Sequence, residues 1–299
     1  MGRAEDGITM FVPRTAPGDR VVVEVVERRK RYARARVSRL VEQATGRVEP
    51  ACRHYVDDAC GGCQLQHLDE TGQLAAKGAM VGDALRRIGG RRVEDPEVVP
   101  SPSAWRYRTR VTLASAAGKI GFHRFDRPGS VFDRGDCLIA RESVMALWAR
   151  LRTHREFFPE RLDSVGLREG PDGKVHVIVA TADARSWDAA SLARELGDDP
   201  PSLWWVPAGG SPRVVAGPDS GYPALAFEQV HPGFGDRIRA DAVASLGIID
   251  GRTVWDLFGG VGETARALAD LGATVWSVDA DRRAVAWGEA HEQEGGAVN

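Results

Sequence analysis

The stretch "CRHYVDDACGGCQLQH", residues 52–67, places three of the chain's four cysteines within twelve positions, and the fourth, Cys137, stands far downstream. Thiolates in groups of four select zinc or an iron–sulfur cluster, and either would tie segments remote in sequence into one local structure. Structural zinc sites usually pair two short Cys-x-x-Cys-type knuckles. Here there is one knuckle, Cys60-x-x-Cys63, with Cys52 just upstream and a remote Cys137. That three-plus-one arrangement is closer to a [4Fe–4S] cluster, with zinc as the alternative. Gly61 and Gly62 let the knuckle fold tightly and turn backbone N–H groups toward sulfur.

The surroundings fit reduced thiols. The first residues, "MGRAEDGITMFVPR", carry acids and lack the apolar run of a secretory signal, so a cytoplasmic location is expected. No stretch approaches the roughly eighteen apolar residues of a membrane span, and no obligate protein partner is implied. A chain of 299 residues is long enough for more than one core. Its net charge of −2 does not by itself point to nucleic acid, but residues 1–50 hold 11 Lys and Arg against 7 Asp and Glu. Arg28 to Arg39, "RRKRYARARVSR", carries seven of those cations and no acid.

"VVVEVV" after the Pro17-Gly18-Asp19 turn reads as a strand. "RYARARV" alternates, with Ala33, Ala35 and Val37 on one face and Tyr32, Arg34 and Arg36 on the other. Such a strand suits a small barrel tracking a phosphate backbone, or an edge strand protected by charge. Beyond the cysteines, "LDETGQLAAKGAMVGDALRRIGG" predicts a helix with Leu74, Met80, Val81, Leu85 and Ile88 as its apolar stripe. "WRYRTRVTLASAAGKIGFHRF" predicts a hairpin turning at Gly118-Lys119, with Arg106, Arg108 and Arg110 on one face. Residues 165–181 predict a second hairpin around Pro171-Asp172-Gly173. From about residue 250 the pattern becomes strand ("TVWDLF"), glycine turn, helix, strand ("ATVWSVDAD"), helix, the start of a doubly wound α/β unit.

Several of these stretches together resemble one family, the cluster-bearing class of S-adenosylmethionine (SAM)-dependent RNA 5-methyluridine (uracil-C5) methyltransferases. "FVPRTAPGDRVVVEVV" looks like its N-terminal TRAM domain, and "RVEPACRHYVDDACGGCQLQHL" is very close to its cluster loop. "WRYRTRV", "IGFHRF" and "DCLIA" match its central domain, and "FEQVHPGF" is similar to a segment whose glutamine contacts SAM. The resemblance implies an α/β multidomain protein in three parts. These are a TRAM-like RNA-binding β-barrel over residues 1–48, a central α/β domain with the cluster loop over 49–222, and the N-terminal part of a Rossmann-like SAM-binding domain over 223–299. It implies Cys52, Cys60, Cys63 and Cys137 as cluster ligands, and Gln229, Phe258, Glu263 and Asp279 at SAM-contacting positions. Glu263 stands where the family more often has Asn.

The glycine turn "DLFGGVGETA" has a second reading. Gly260-x-Gly262-x-x-Ala265 formally satisfies a dinucleotide pattern, with Asp279 about 20 residues on as a ribose ligand. The acid in the strand end, Asp256, and the following Phe-Gly-Gly-x-Gly favour SAM, which needs no pyrophosphate cradle. The family's reaction implies a cysteine thiolate adding to uracil C6, methylation at C5 and removal of the C5 proton by a base. With all four cysteines matched to the cluster, no catalytic residue is assigned in this chain. The chain is expected to be an inactive fragment of an enzyme acting on rRNA or tRNA. The alternative is a non-enzymatic RNA-binding protein with a structural Fe–S or zinc site.

Overall fold

The computed structural model describes residues 2–4, 6–133 and 135–291. In chain order its elements begin with strands β1 (Gly2–Arg3), β2 (Thr9–Phe11), β3 (Arg20–Arg28) and β4 (Tyr32–Glu42), then helices α1 (Arg53–Val56) and α2 (Glu70–Arg87). Next come β5 (Arg110–Ala116), β6 (Lys119–His123), β7 (Val131–Phe132), α3 (Glu142–Leu151), β8 (Leu162–Glu169), β9 (Val175–Thr181) and α4 (Ala189–Glu195). The last are β10 (Leu203–Val206), β11 (Arg213–Ala216), α5 (Pro232–Ala244), β12 (Thr253–Leu257), α6 (Glu263–Ala269), β13 (Thr274–Val278) and α7 (Arg282–Ala290). The chain divides into two compact units, Met1–Pro102 with Phe122–Phe132, and Ser103–Gly121 with Asp133–Asn299.

In the first unit β1 to β4 form a sheet in the order β1-β2-β4-β3. Among the described residues this sheet is open, whereas a closed barrel was expected. Ala33 and Ala35 are buried with Met10, as the alternation predicts. Val37 is not: it is 36% exposed, next to the point where the β3–β4 pairing shifts register between Val22 and Val23. The turn at residues 16–19 is closed by Asp19, whose carboxylate accepts from the Ala16 and Ala44 N–H groups and pairs with Arg47. Burial pushes the Asp19 carboxyl up, but Arg47 and the two N–H groups outweigh it and hold it at about 2.

Helix α2 forms where predicted, with Asp69 capping the Gly72 N–H. Its packing inverts the expected stripe. Gly78 and Gly82 are its buried residues, while Met80, Val81, Leu85 and Ile88 are exposed. The chain at Asp95 to Val98 lies so close to this helix that a Cβ built on Gly78 would stand 2.7 Å from the Pro96 carbonyl oxygen. Small residues, rather than large apolar ones, therefore mark the packed face.

In the second unit the sheet runs β11-β10-β9-β8-β5-β6, mostly antiparallel, with β9 and β10 parallel across the α4 connection. Both predicted hairpins are present, β5–β6 turning at Ala117-Gly118 and β8–β9 at Pro171 to Gly173. Amphipathic α3 packs on β8 and β9, with Val144, Leu147, Trp148 and Leu151 buried. On the other sheet face Ile178 and Trp204 pack with Tyr222 and Ala224. β12 and β13 pair in parallel from Thr253↔Thr274 to Leu257↔Val278. One face of this pair joins a core of Val243, Ile249, Ala265, Leu268 and Val275. The other exposes Trp255 and Trp276, stacked 6.0 Å apart across the register. No helix among the described residues is long and apolar enough to cross a membrane.

Candidate functional site

The cysteine loop is built on α1 and on residues 123–125, where the chain leaves β6, all in the first unit. Cys52 precedes α1, its carbonyl accepting from the Tyr55 N–H and its own N–H reaching Gln66 Oε1. Ala59 takes a left-handed φ of 50°, which swings the chain so that the Cys60 N–H bonds back to His54 O. The knuckle then docks through Gly61 N–H to His123 O at 2.8 Å and Phe125 N–H to Ala59 O at 2.8 Å. A side chain at Gly61 would meet that His123 carbonyl at 3.1 Å, which is why glycine suits the position. At the tip, the Gly62 N–H points to Cys60 Sγ at 3.5 Å, the amide–sulfur geometry expected of the glycine pair.

Buried polar side chains brace the loop from behind. Tyr55 donates its hydroxyl hydrogen to Gln64 O and lies 2.7 Å from His67 Nδ1, while His54 pairs with Asp58 at 2.7 Å. Burial pushes the Tyr55 phenol above and the His67 imidazole below their ordinary ranges, so both stay neutral at physiological pH.

Cys137 belongs to the second unit. Its carbonyl accepts from Arg106 Nη1 at 3.0 Å, and the Arg106 and Arg108 N–H groups bond Leu138 O and Ile139 O. The two stretches "WRYRTRV" and "DCLIA", far apart in sequence, thus lie side by side. None of the four cysteines is in a disulfide, and all are partly exposed. Among the described residues no three His, Cys, Asp or Glu side chains are gathered as a metal site. In donor chemistry the residues suit a soft metal group: three reduced thiols on one loop, a fourth elsewhere, and an N–H aimed at sulfur.

The glycine turn lies between β12 and α6. Phe258, Gly260 and Gly262 all have positive φ, and Phe258 at 66° is 90% exposed. Gly259 packs so tightly that a Cβ there would fall 2.0 Å from Ser277 Oγ. Asp279 ends β13 and reaches back to the turn, its Oδ2 accepting from the Gly260 N–H at 2.9 Å and its Oδ1 from the Asp281 N–H at 2.8 Å. Burial raises the neighbouring Asp256 carboxyl above its ordinary range. The backbone leading to Gln229 passes close by, with Phe227 O 3.9 Å from a Cβ built on Gly260, and Gln229 itself packs on Gly235 at the start of α5. The structure therefore brings Gln229's segment, Phe258 and Asp279 to one end of the β12–β13 pair. Glu263 begins α6, and its carboxylate is taken by Arg239 at 2.8 Å.

Three features escaped sequence reading. Arg34 and Arg36 face solvent as expected, yet each has an acidic neighbour across the hairpin, Glu27 at 3.7 Å and Glu24 at 2.7 Å. Arg168, in β8, is buried to 2% exposure beside the buried Glu169. It donates to the Ala224 and Ala226 carbonyls and pairs with Glu228 at 2.9 Å, pinning the segment that leads to Gln229. An inward-register arginine in "SVGLREG" is the one signal that marked it. The third is Arg14, described below.

Residues 1–38 match the TRAM domain family. An uncharacterised RNA methyltransferase of Listeria monocytogenes is 27% identical over 92% of this chain and 68% of its own length. The 23S rRNA (uracil(1939)-C(5))-methyltransferase RlmD of Halomonas elongata is 30% identical over 93% of this chain and 62% of its own. The chain thus spans about two thirds of the length of these relatives. The fold is shared with the tRNA (uracil-54, C5)-methyltransferase of Pyrococcus abyssi, solved with S-adenosyl-L-homocysteine. That structure has a TM-score of 0.68 and 24% identity, over 97% of this chain and 74% of the other. Over more than nine tenths of its length the chain is thus similar to a protein named as an RNA uracil-C5 methyltransferase, and its first 38 residues match the TRAM domain family.

Proposed function

We propose that this chain serves the transfer of a methyl group from SAM to C5 of a uridine in rRNA or tRNA in the cytoplasm. The observation that carries the reading is the glycine turn. Its left-handed backbone lets a ligand approach closely, Asp279 fixes it, and Gln229's segment runs alongside. In this reading Gln229, Phe258 and Asp279 hold SAM, with the exposed Phe258 ring offering a stacking face. Glu263, already held by Arg239, orders the helix start. The open sheet of the first unit supplies RNA contacts through Arg34 and Arg36 as part of a TRAM domain, and the three-part division at residues 48 and 222 belongs to the same proposal.

Cys52, Cys60, Cys63 and Cys137 hold a [4Fe–4S] cluster in the same proposal; when bound, it cross-links segments that the sequence keeps far apart. The thiols are then occupied, so no catalytic nucleophile is assigned among these 299 residues. The test is nucleoside mass spectrometry of rRNA and tRNA from cells lacking the gene. Loss of 5-methyluridine at one site, restored by re-expression, supports the reading. An unchanged 5-methyluridine inventory with RNA binding intact favours a non-enzymatic RNA-binding role.

A further inference from the structure

Arg14 lies between β2 and β3 with a backbone φ of 59°, a region that residues bearing a Cβ enter rarely and glycine enters freely. Nothing in the turn itself calls for arginine. The side chain supplies the reason. Its guanidinium is sandwiched between two aromatic rings, 3.7 Å from the centroid of Tyr55 and 3.8 Å from that of Phe125. In the plane of the sandwich it donates to the Tyr55 carbonyl and, through Nη2 at 2.7 Å, to the Cys60 carbonyl. The Arg14 carbonyl is held in turn by Arg47 Nη2 at 3.0 Å, and Arg47 by Asp19. No carboxylate among the described residues pairs with Arg14.

We propose that Arg14 is the positioning residue of the cysteine loop. It clamps α1, the knuckle and the segment at Phe125 in one arrangement before any metal arrives, and it presents a cation held by no salt bridge to the peptide shell of the thiols. The planar fork meets two carbonyls while both its faces are covered, which lysine cannot reproduce. A thiolate-ligated iron–sulfur group carries net negative charge, and this cation complements it. The identity of that group rests on the reading above, whereas the preorganisation of the loop does not.

The test uses the whole chain, reduced and metal-free under argon, with iodoacetamide labelling of each cysteine followed by peptide mass spectrometry. Arg14→Gly relieves the backbone conformation and removes only the clamp. It should raise labelling of Cys60 and Cys63 at least tenfold and leave Cys137, in the other unit, unchanged as an internal control. Arg14→Lys should fall between, and Phe125→Ala, which leaves residue 14 intact, should move Cys60 and Cys63 in the same direction. After anaerobic reconstitution with iron and sulfide, Arg14→Gly should lose iron to a chelator at least tenfold faster than the parent. Labelling of Cys60 and Cys63 within twofold of the parent in both Arg14→Gly and Phe125→Ala would overturn the proposal. A parent chain that takes up no iron, yet shows the labelling differences, would sink the cluster reading and leave the clamp standing.

Discussion

Replacing Asp19 with Asn tests the network on which the first unit is built. The Asp19 side chain is only 1% exposed and receives two backbone N–H groups and both ends of the Arg47 fork. Holding its carboxyl at about 2 instead of the ordinary 3.8 contributes about 2 kcal/mol at neutral pH. Asparagine keeps the shape and one acceptor, but it leaves Arg47 largely buried without its counter-charge, so the full cost should be about 2 to 4 kcal/mol. Because the folded carboxyl is the stronger acid, this stability is complete above pH about 4 and is lost as pH falls towards 2. All eight tryptophans lie outside the first unit, so fluorescence would not report on it. Hydrogen exchange of β3 and β4 peptides does. At pH 7 Asp19→Asn should speed their exchange at least 30-fold, as about 2 kcal/mol implies, with β8 and β9 unchanged as controls. Exchange within threefold of the parent, or a carboxyl titration by NMR centred near 3.8, would refute the reasoning.

Other expectations follow from the same geometry. Serine at Cys60 or at Cys137 should each abolish the visible absorbance of anaerobically reconstituted protein, which otherwise carries about four irons per chain; stoichiometric zinc in a colourless parent would exclude the cluster. Arg34→Ala with Arg36→Ala should weaken binding to structured RNA and lower the slope of log affinity against log salt by about 2, since exposed pairs with Glu27 and Glu24 hold these cations only weakly. An unchanged slope would make them a protected sheet edge. Gly259→Ala puts a methyl group against Ser277 Oγ and should cost about 1–3 kcal/mol in the β12–β13 region, read as lost protection of β12 and β13 in hydrogen exchange.

Much of the fold was legible because it rests on local patterns. The β-branched run of β3, the two hairpins and the strand–turn–helix grammar after residue 250 depend on periods and turn residues that neighbours in sequence supply. Helix α2 was legible as a helix but not in its orientation. A stripe of large apolar residues predicts the buried face, and the packing instead uses Gly78 and Gly82 to admit another stretch of backbone. The bulge at Val22–Val23 likewise defeated a strict alternation. Long-range polar contacts left the faintest trace. Arg14 meets Tyr55, Cys60 and Phe125, and Arg168 meets Ala224 and Glu228, across separations that no local motif encodes. The cysteines stood out by type and spacing, and Gln229, Phe258, Glu263 and Asp279 through the family resemblance, while the groups that position them left no such mark.

The central claim is that the reaction occurs at uracil C5, and C5 is where it is most directly tested. RNA transcribed with [5-³H]uridine loses tritium only when the C5 proton is replaced. Extract of cells that carry the gene should release tritium from unmodified rRNA or tRNA, in step with methyl incorporation and only when SAM is present, and extract of cells lacking the gene should not. The purified 299-residue chain, its four thiols held as cluster ligands, should release none. Methyl incorporation without tritium release, or equal release by extracts with and without the gene, would contradict the account.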